Sequence, residues 1–241
     1  MIESLLPRSA AATASEHFGD TPDGEGLFPQ ERALIAGAGA GRRREFTTVR
    51  ACARLALKEL GLAPAALLPD ESGAPVWPTG IVGSMTHCRG YRAAVVARRT
   101  SVRALGIDAE PHRPLRDGVL RLVARPEEQA ALAGLDGTVC WGRLLFSAKE
   151  AAFKAWSPGA RAGGVRPRVP HDIRVTLRPT DGTFQAEILP DHPEATRVEG
   201  RWLATTDLLL TAVSVPASPA GSGAPETAEE AAEAKPKRKR A

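Results

Sequence analysis

The stretch Val102-Arg103-Ala104-Leu105-Gly106-Ile107-Asp108-Ala109-Glu110 is mostly apolar until it ends in two carboxylates one residue apart. Read as a strand, it places Asp108 and Glu110 on the same side, because side chains alternate across a β-strand. That spacing suits the gripping of one hard cation. Upstream, Ile81 to Cys88 and Tyr91 to Ala97 read as two neighbouring strands broken at Arg89-Gly90. Downstream, Val139 to Trp156 reads as an amphipathic helix with Asp136-Gly137-Thr138 as its cap. Its buried side carries Leu144, Ala148, Ala151 and Ala155, and its polar stripe carries Arg143, Ser147, Glu150 and Lys154.

An earlier helix is marked by Phe46, Val49, Ala53, Ala56 and Leu60 at helical spacing, with Gly61 as its left-handed stop. The opposite stripe holds Arg43, Thr47, Arg50, Arg54 and Lys58, so one face is cationic. Four further strands are expected at Ile173 to Leu177, Thr183 to Leu189, Arg201 to Thr205 and Leu208 to Val215, with a hairpin turn at Asp181-Gly182. Ser157 to Pro170 reads as a loop. The order is helix then strands, twice, without a residue-level internal repeat. The expected organisation is a loosely ordered lead-in at 1–26, an N-terminal half at 27–104, a C-terminal half at 105–216 and a disordered tail at 217–241 ending in Lys and Arg.

Composition narrows the class. In 241 residues, 43% hydrophobic and 25% charged is ordinary for a globular chain, and the net charge of +4 sits mostly in arginine clusters that favour a small anionic ligand or an acidic partner. No apolar run is long enough to span a bilayer and no secretory signal opens the chain, so a cytoplasmic protein without membrane partners is expected. Cys52, Cys88 and Cys140 are too scattered to suggest a disulfide framework or a zinc site.

Glu150 adds a third carboxylate, four residues before Lys154 on one helix face. Three carboxylates without clustered His or Cys favour magnesium, with manganese as the substitute, and magnesium held this way completes its shell with waters and substrate phosphates. That favours a diphosphate as the substrate class. A magnesium-dependent nuclease or phosphodiesterase is the alternative, although Pro111-His112 follows Glu110 where such sites place a lysine two residues on.

Gly73-Ala74-Pro75, Gly83-Ser84-Met85-Thr86-His87-Cys88, Gly106-Ile107-Asp108-Ala109-Glu110 and Phe146-Ser147-Ala148-Lys149-Glu150-Ala151-Ala152-Phe153-Lys154-Ala155-Trp156 resemble, in order and spacing, the signatures of the Sfp-like phosphopantetheinyl transferases. Glu31-Arg32-Ala33 and Arg42-Arg43-Arg44-Glu45-Phe46-Thr47-Thr48-Val49-Arg50 look like the enterobactin-synthesis branch and its actinobacterial relatives. The resemblance implies an α+β fold of two similar α/β halves related by a pseudo-twofold, with the active site and coenzyme A in the cleft between them. It implies Asp108, Glu110 and Glu150 as magnesium ligands, Glu150, Lys154 and His87 as catalytic groups, and Arg42 and Arg50 as the grip on the 3′-phosphate. His87, Lys154, Thr86 and Lys149 join them as coenzyme A contacts, and Gly73 and Pro75 shape the nucleotide-side loop. It further implies transfer of the phosphopantetheine arm to a serine of apo carrier proteins of polyketide, nonribosomal peptide or fatty acid synthases, with release of 3′,5′-ADP. Nucleic acid is not an expected partner, and a monomer is expected. The family often has Lys where this chain has Ala74, which removes one phosphate or ribose contact.

Overall fold

A computed structural model describes residues 1–15, 26–71, 73–162, 172–188 and 197–217. The expected tail and most of the Ser157–Pro170 loop lie outside the described residues. A 3-10 turn at Ile2–Leu5 leads into β1 (Ala10–Ser15), followed by α1 (Pro29–Leu34), α2 (Ala40–Glu59), β2 (Ile81–Cys88), β3 (Tyr91–Arg98) and β4 (Val102–Pro111). Then come α3 (Val119–Val123), α4 (Pro126–Ala133), α5 (Trp141–Ala162), β5 (Ile173–Arg178), β6 (Thr183–Ile188), β7 (Arg197–Ala204) and β8 (Leu208–Pro216).

The fold is α+β with two antiparallel sheets, one of three strands in the order β1-β3-β2 and one of five in the order β4-β8-β7-β6-β5. Helix α2 packs on the first sheet and α5 on the second, so each half is a long helix over a sheet. In β3 every residue from Tyr91 to Ala97 is buried, as a central strand covered on both faces requires. Gly61, at φ +75°, follows α2 as expected, and Gly182, at φ +66°, makes the β5–β6 turn. Among the described residues no helix is long and apolar enough to cross a membrane, and the three cysteines are free thiols.

Three expectations need correction. The lead-in is not loose over its first fifteen residues: Ile2 and Leu5 are buried with Val95, Ile107 and Leu210, and β1 pairs with β3 from Ala10↔Ala97 to Ser15↔Arg92. Short Ala-rich strands carry little pattern, and only the partner strand reveals them. Helix α2 starts at Ala40, six residues before the apolar period begins at Phe46, and α5 continues beyond Trp156 to Ala162 with Pro158 inside it. Ser157 is buried there, and a proline removes only one N–H from the ladder.

Gly106 sets how closely the strand of the two carboxylates approaches α5. A Cβ at that position would stand 1.9 Å from the Ala151 carbonyl oxygen and 2.6 Å from the Ala155 nitrogen. Glycine alone lets β4 lie against the helix backbone, and this contact brings Asp108 and Lys154 together.

Candidate active site

The two sheets meet along β2 and β4, where side-chain hydroxyls take the place of a backbone ladder. Ser84 Oγ accepts the Ile107 N–H at 3.1 Å and Thr86 Oγ1 accepts the Ala109 N–H at 3.1 Å. Both residues point to the same side of β2 because they are two apart. The Thr86 hydroxyl also donates to Asp108 Oδ1 at 3.1 Å, so the seam itself orients the carboxylate. Lys154 Nζ donates to the same Oδ1 at 2.7 Å and to the Ile107 carbonyl at 3.1 Å. Asp108 Oδ2 is buried and has no hydrogen-bond partner among the described residues. A buried carboxylate oxygen left bare is costly, and a bound cation is the ordinary remedy.

Glu110 and Glu150 stand close enough to Asp108 to be repelled by it. Burial pushes the Glu150 carboxyl above its usual range; Lys154 opposes the rise, and Asp108 and Glu110 add to it. Glu110 is likewise raised by burial first, against the Arg143 hydrogen bond, with Asp108 contributing. The Arg143 Nη1 to Glu110 Oε2 distance is 2.6 Å, and the same guanidinium donates to the carbonyls of Arg113 at 2.6 Å and Pro114 at 3.0 Å. Among the described residues no three His, Cys, Asp or Glu side chains converge as a ready metal cage. The donor chemistry nonetheless fits a hard cation: oxygen ligands only, mutual repulsion, and one bare buried oxygen.

A cleft of about 730 Å³ opens beside this cluster. Arg42, Phe46 and Arg50 of α2 line it, with Gly73 and Pro75 of the loop, Met85 and His87 of β2, and Phe153 and Lys154 of α5. The loop turns through Gly73 at φ +86° and is pinned by Asp70, whose carboxylate accepts the Ala74 N–H at 3.0 Å. Arg42 Nη1 lies 3.1 Å from His87 Nε2. Burial, Arg42, Lys154 and Arg92 hold His87 below the ordinary imidazole range, with Glu45 the opposing influence. Arg50 is mostly buried: it stacks 3.2 Å over the Phe46 ring, donates to the Leu67 carbonyl at 3.2 Å and stands 3.5 Å from Glu31. Burial lowers it to about 10, which leaves it charged at neutral pH.

Not every expected residue reaches the cleft. Lys149 is fully buried and donates to Glu128 at 2.7 Å, away from the site, because its helix position faces α4 rather than β4. Thr86 is buried with its hydroxyl already bonded to both Asp108 and Ala109, so it serves the seam and not a cleft ligand. Motif reading also passed over Arg143 as a partner of Glu110, and Glu45, which faces His87 at 3.6 Å. Arg143 lies seven residues before Glu150 on one helix face, which was a usable signal; the approach of Glu45 to His87 is purely tertiary.

The 4'-phosphopantetheinyl transferase N-terminal domain matches residues 30–97, and the 4'-phosphopantetheinyl transferase superfamily domain matches residues 104–207. The 4'-phosphopantetheinyl transferase Svp of Streptomyces mobaraensis is 48% identical over 97% of this chain and 94% of its own. This chain belongs to the 4'-phosphopantetheinyl transferase family. The 4'-phosphopantetheinyl transferase PptT of Mycobacterium tuberculosis is 42% identical over 88% of this transferase and 97% of its own chain. Enterobactin synthase component D of Escherichia coli is 35% identical over 54% of this transferase and 62% of its own chain. The two domain matches divide between β3 and β4, so the cleft and the β2–β4 seam both lie where one matched domain meets the other.

Proposed function

We propose that this transferase moves the 4′-phosphopantetheine arm of coenzyme A onto a serine of apo acyl or peptidyl carrier proteins, releasing 3′,5′-ADP. The observation that carries the reading is the cationic cleft, lined by Arg42, Arg50, His87 and Lys154, whose Lys154 is bonded to Oδ1 of Asp108, the carboxylate with a bare second oxygen. A small molecule that is anionic along its length and reacts at a phosphorus fits such a groove.

In this reading Arg42 and His87, which line the cleft, hold phosphate oxygens, and Arg50 adds its remaining donors from α2. Asp108, Glu110 and Glu150 would hold magnesium, or manganese in its place. When bound, that ion would neutralise the pyrophosphate and the charge that develops on the 5′-phosphate of the leaving 3′,5′-ADP. Lys154, already bonded to Asp108 Oδ1, steadies that carboxylate and presents its ammonium to the cleft. The carrier serine must lose its proton as it attacks phosphorus, and Glu150 is the carboxylate assigned to take it, directly or through a water. Thr86 and Arg143 hold Asp108 and Glu110 in place, while Gly73 and Pro75 shape the wall on the nucleotide side. The protein acts in the cytoplasm as a monomer in this reading.

Incubating the protein with Mg²⁺, coenzyme A and an apo carrier domain, and weighing the carrier by intact mass spectrometry, tests the reading. A carrier heavier by one phosphopantetheine arm supports it. An unmodified carrier, with a second authentic transferase modifying the same sample, sinks it.

A further inference from the structure

His87 Nε2 is approached from two sides. Arg42 Nη1 stands 3.1 Å away and Glu45 Oε2 stands 3.6 Å away, while Glu45 Oε1 lies 3.7 Å from Arg92 Nη2. A guanidinium has donors only, so the contact with Arg42 requires Nε2 to be an acceptor, and the ring is then neutral with its proton on Nδ1. In that state the Nε2 lone pair also faces a carboxylate. Arg42, 3.9 Å from Glu45 Oε2, relieves the repulsion. The two flanking cations differ in freedom: the Arg42 side chain is 54% exposed and lines the cleft, whereas the Arg92 side chain is fully buried and anchors Glu45.

We propose that Glu45 is a positioning residue for His87, active when an anionic ligand draws Arg42 away. On binding coenzyme A, the Arg42–His87 hydrogen bond breaks, Nε2 takes a proton from solvent, and the new N–H donates to Glu45. His87 thereby enters the complex as an imidazolium beside the phosphates. The charged groups facing the ring are Glu45 and Arg42 from α2, Arg92 from β3 and Lys154 from α5. Burial and these three cations keep His87 neutral in the free protein, and a polyphosphate that engages Arg42 and Lys154 shifts that balance toward the charged ring. The exchange makes ligand affinity depend on pH: because the proton is bound more tightly in the complex, affinity falls as pH rises through the bound-state midpoint.

This inference rests on the transferase reading, and its test separates the two. The full-length protein is titrated calorimetrically with coenzyme A, without metal, in buffers of different ionisation heat at pH 7, and the His87 ring is followed by NMR. Wild type takes up a proton on binding. Glu45→Gln lowers the bound-state His87 midpoint by about one pH unit, a tenfold loss of proton affinity, and suppresses the uptake. In turnover assays the same variant raises KM for coenzyme A more than it lowers kcat. Arg42→Ala, at an exposed position that does not threaten folding, raises the His87 midpoint of the free protein and also removes the uptake, because the exchange has already taken place. Binding by wild type without proton uptake overturns the proposal and leaves the transferase reading intact, as does an Arg42→Ala protein with an unmoved free-state midpoint. Failure of wild type to bind coenzyme A at all, with Mg²⁺ added as well as without it, overturns both.

Discussion

Glu31 and Glu128 do the same job in the two halves with different partners. Each follows a proline by two residues, in Phe28-Pro29-Gln30-Glu31 and Arg125-Pro126-Glu127-Glu128, and each is buried at the third position of a short helix. Glu31 accepts the Phe28 N–H and the Leu67 N–H, both at 3.0 Å; Glu128 accepts the Arg125 N–H and the Val175 N–H, both at 2.7 Å. In each half one carboxylate therefore ties a short helix, a distant backbone segment and the following long helix into one unit. The partners on the long helix differ. Glu31 is shared by Arg54, at 3.1 Å, and Arg50, whereas Glu128 has the fully buried Lys149. Arginine's several donors let Arg50 hold Glu31 and Leu67 and still border the cleft, a division a lysine buried behind α5 does not make. The N-terminal half thus turns its staple toward the cleft, and the C-terminal half hides its staple and leaves α5 free to meet Asp108.

Glu128→Ala should do the most damage, because it takes a carboxylate away from a buried ammonium and from two backbone N–H groups at once. A loss of about 3–5 kcal/mol is expected from urea unfolding. Asp108→Asn removes charge from the acid cluster and should lower transfer to a carrier domain by about two to three orders of magnitude with the unfolding midpoint little changed. A near-normal turnover would show that the acidic face of the C-terminal half is not the reacting one. Glu31→Ala should cost about 2–3 kcal/mol, less than its counterpart, since Arg50 keeps the Leu67 carbonyl and the Phe46 ring. Equal losses at the two positions would erase the distinction between the staples. Thr86→Val, at the seam, should cost about 1–2 kcal/mol and slow turnover several-fold, because Ala109 loses its acceptor and Asp108 a donor. Arg178→Ala cuts an ion pair with Glu199 on the exposed face of the five-stranded sheet and should stay within about 0.5 kcal/mol in the same unfolding assay.

Much of the site was legible because its signals are local. Alternation put Asp108 and Glu110 on one side of a strand, the helical period put Glu150 and Lys154 on one face, and glycine marked the helix stop and the hairpin. Lys149 misled for the same reason: it sits next to Glu150 in sequence, yet one step along a helix turns a side chain by about a quarter of a revolution, here into Glu128. The repeated Pro-x-Glu was also present in the sequence, but two residues are too little to stand out until the structure shows both glutamates doing the same work.

Residue order by itself determined the two helix-and-strand halves, the family signatures and the acidic and basic groups available to the cleft, because these depend on periods of two and 3.6 and on spacings within one element. Only the tertiary structure decided that β1 completes the first sheet, that hydroxyls of Ser84 and Thr86 bind β2 to β4, that Arg143 holds Glu110, and that Glu45 meets His87. Each of these joins side chains or strands far apart in the chain, and which polar stripe faces water and which faces a buried partner is fixed by the packing of whole elements rather than by any local period.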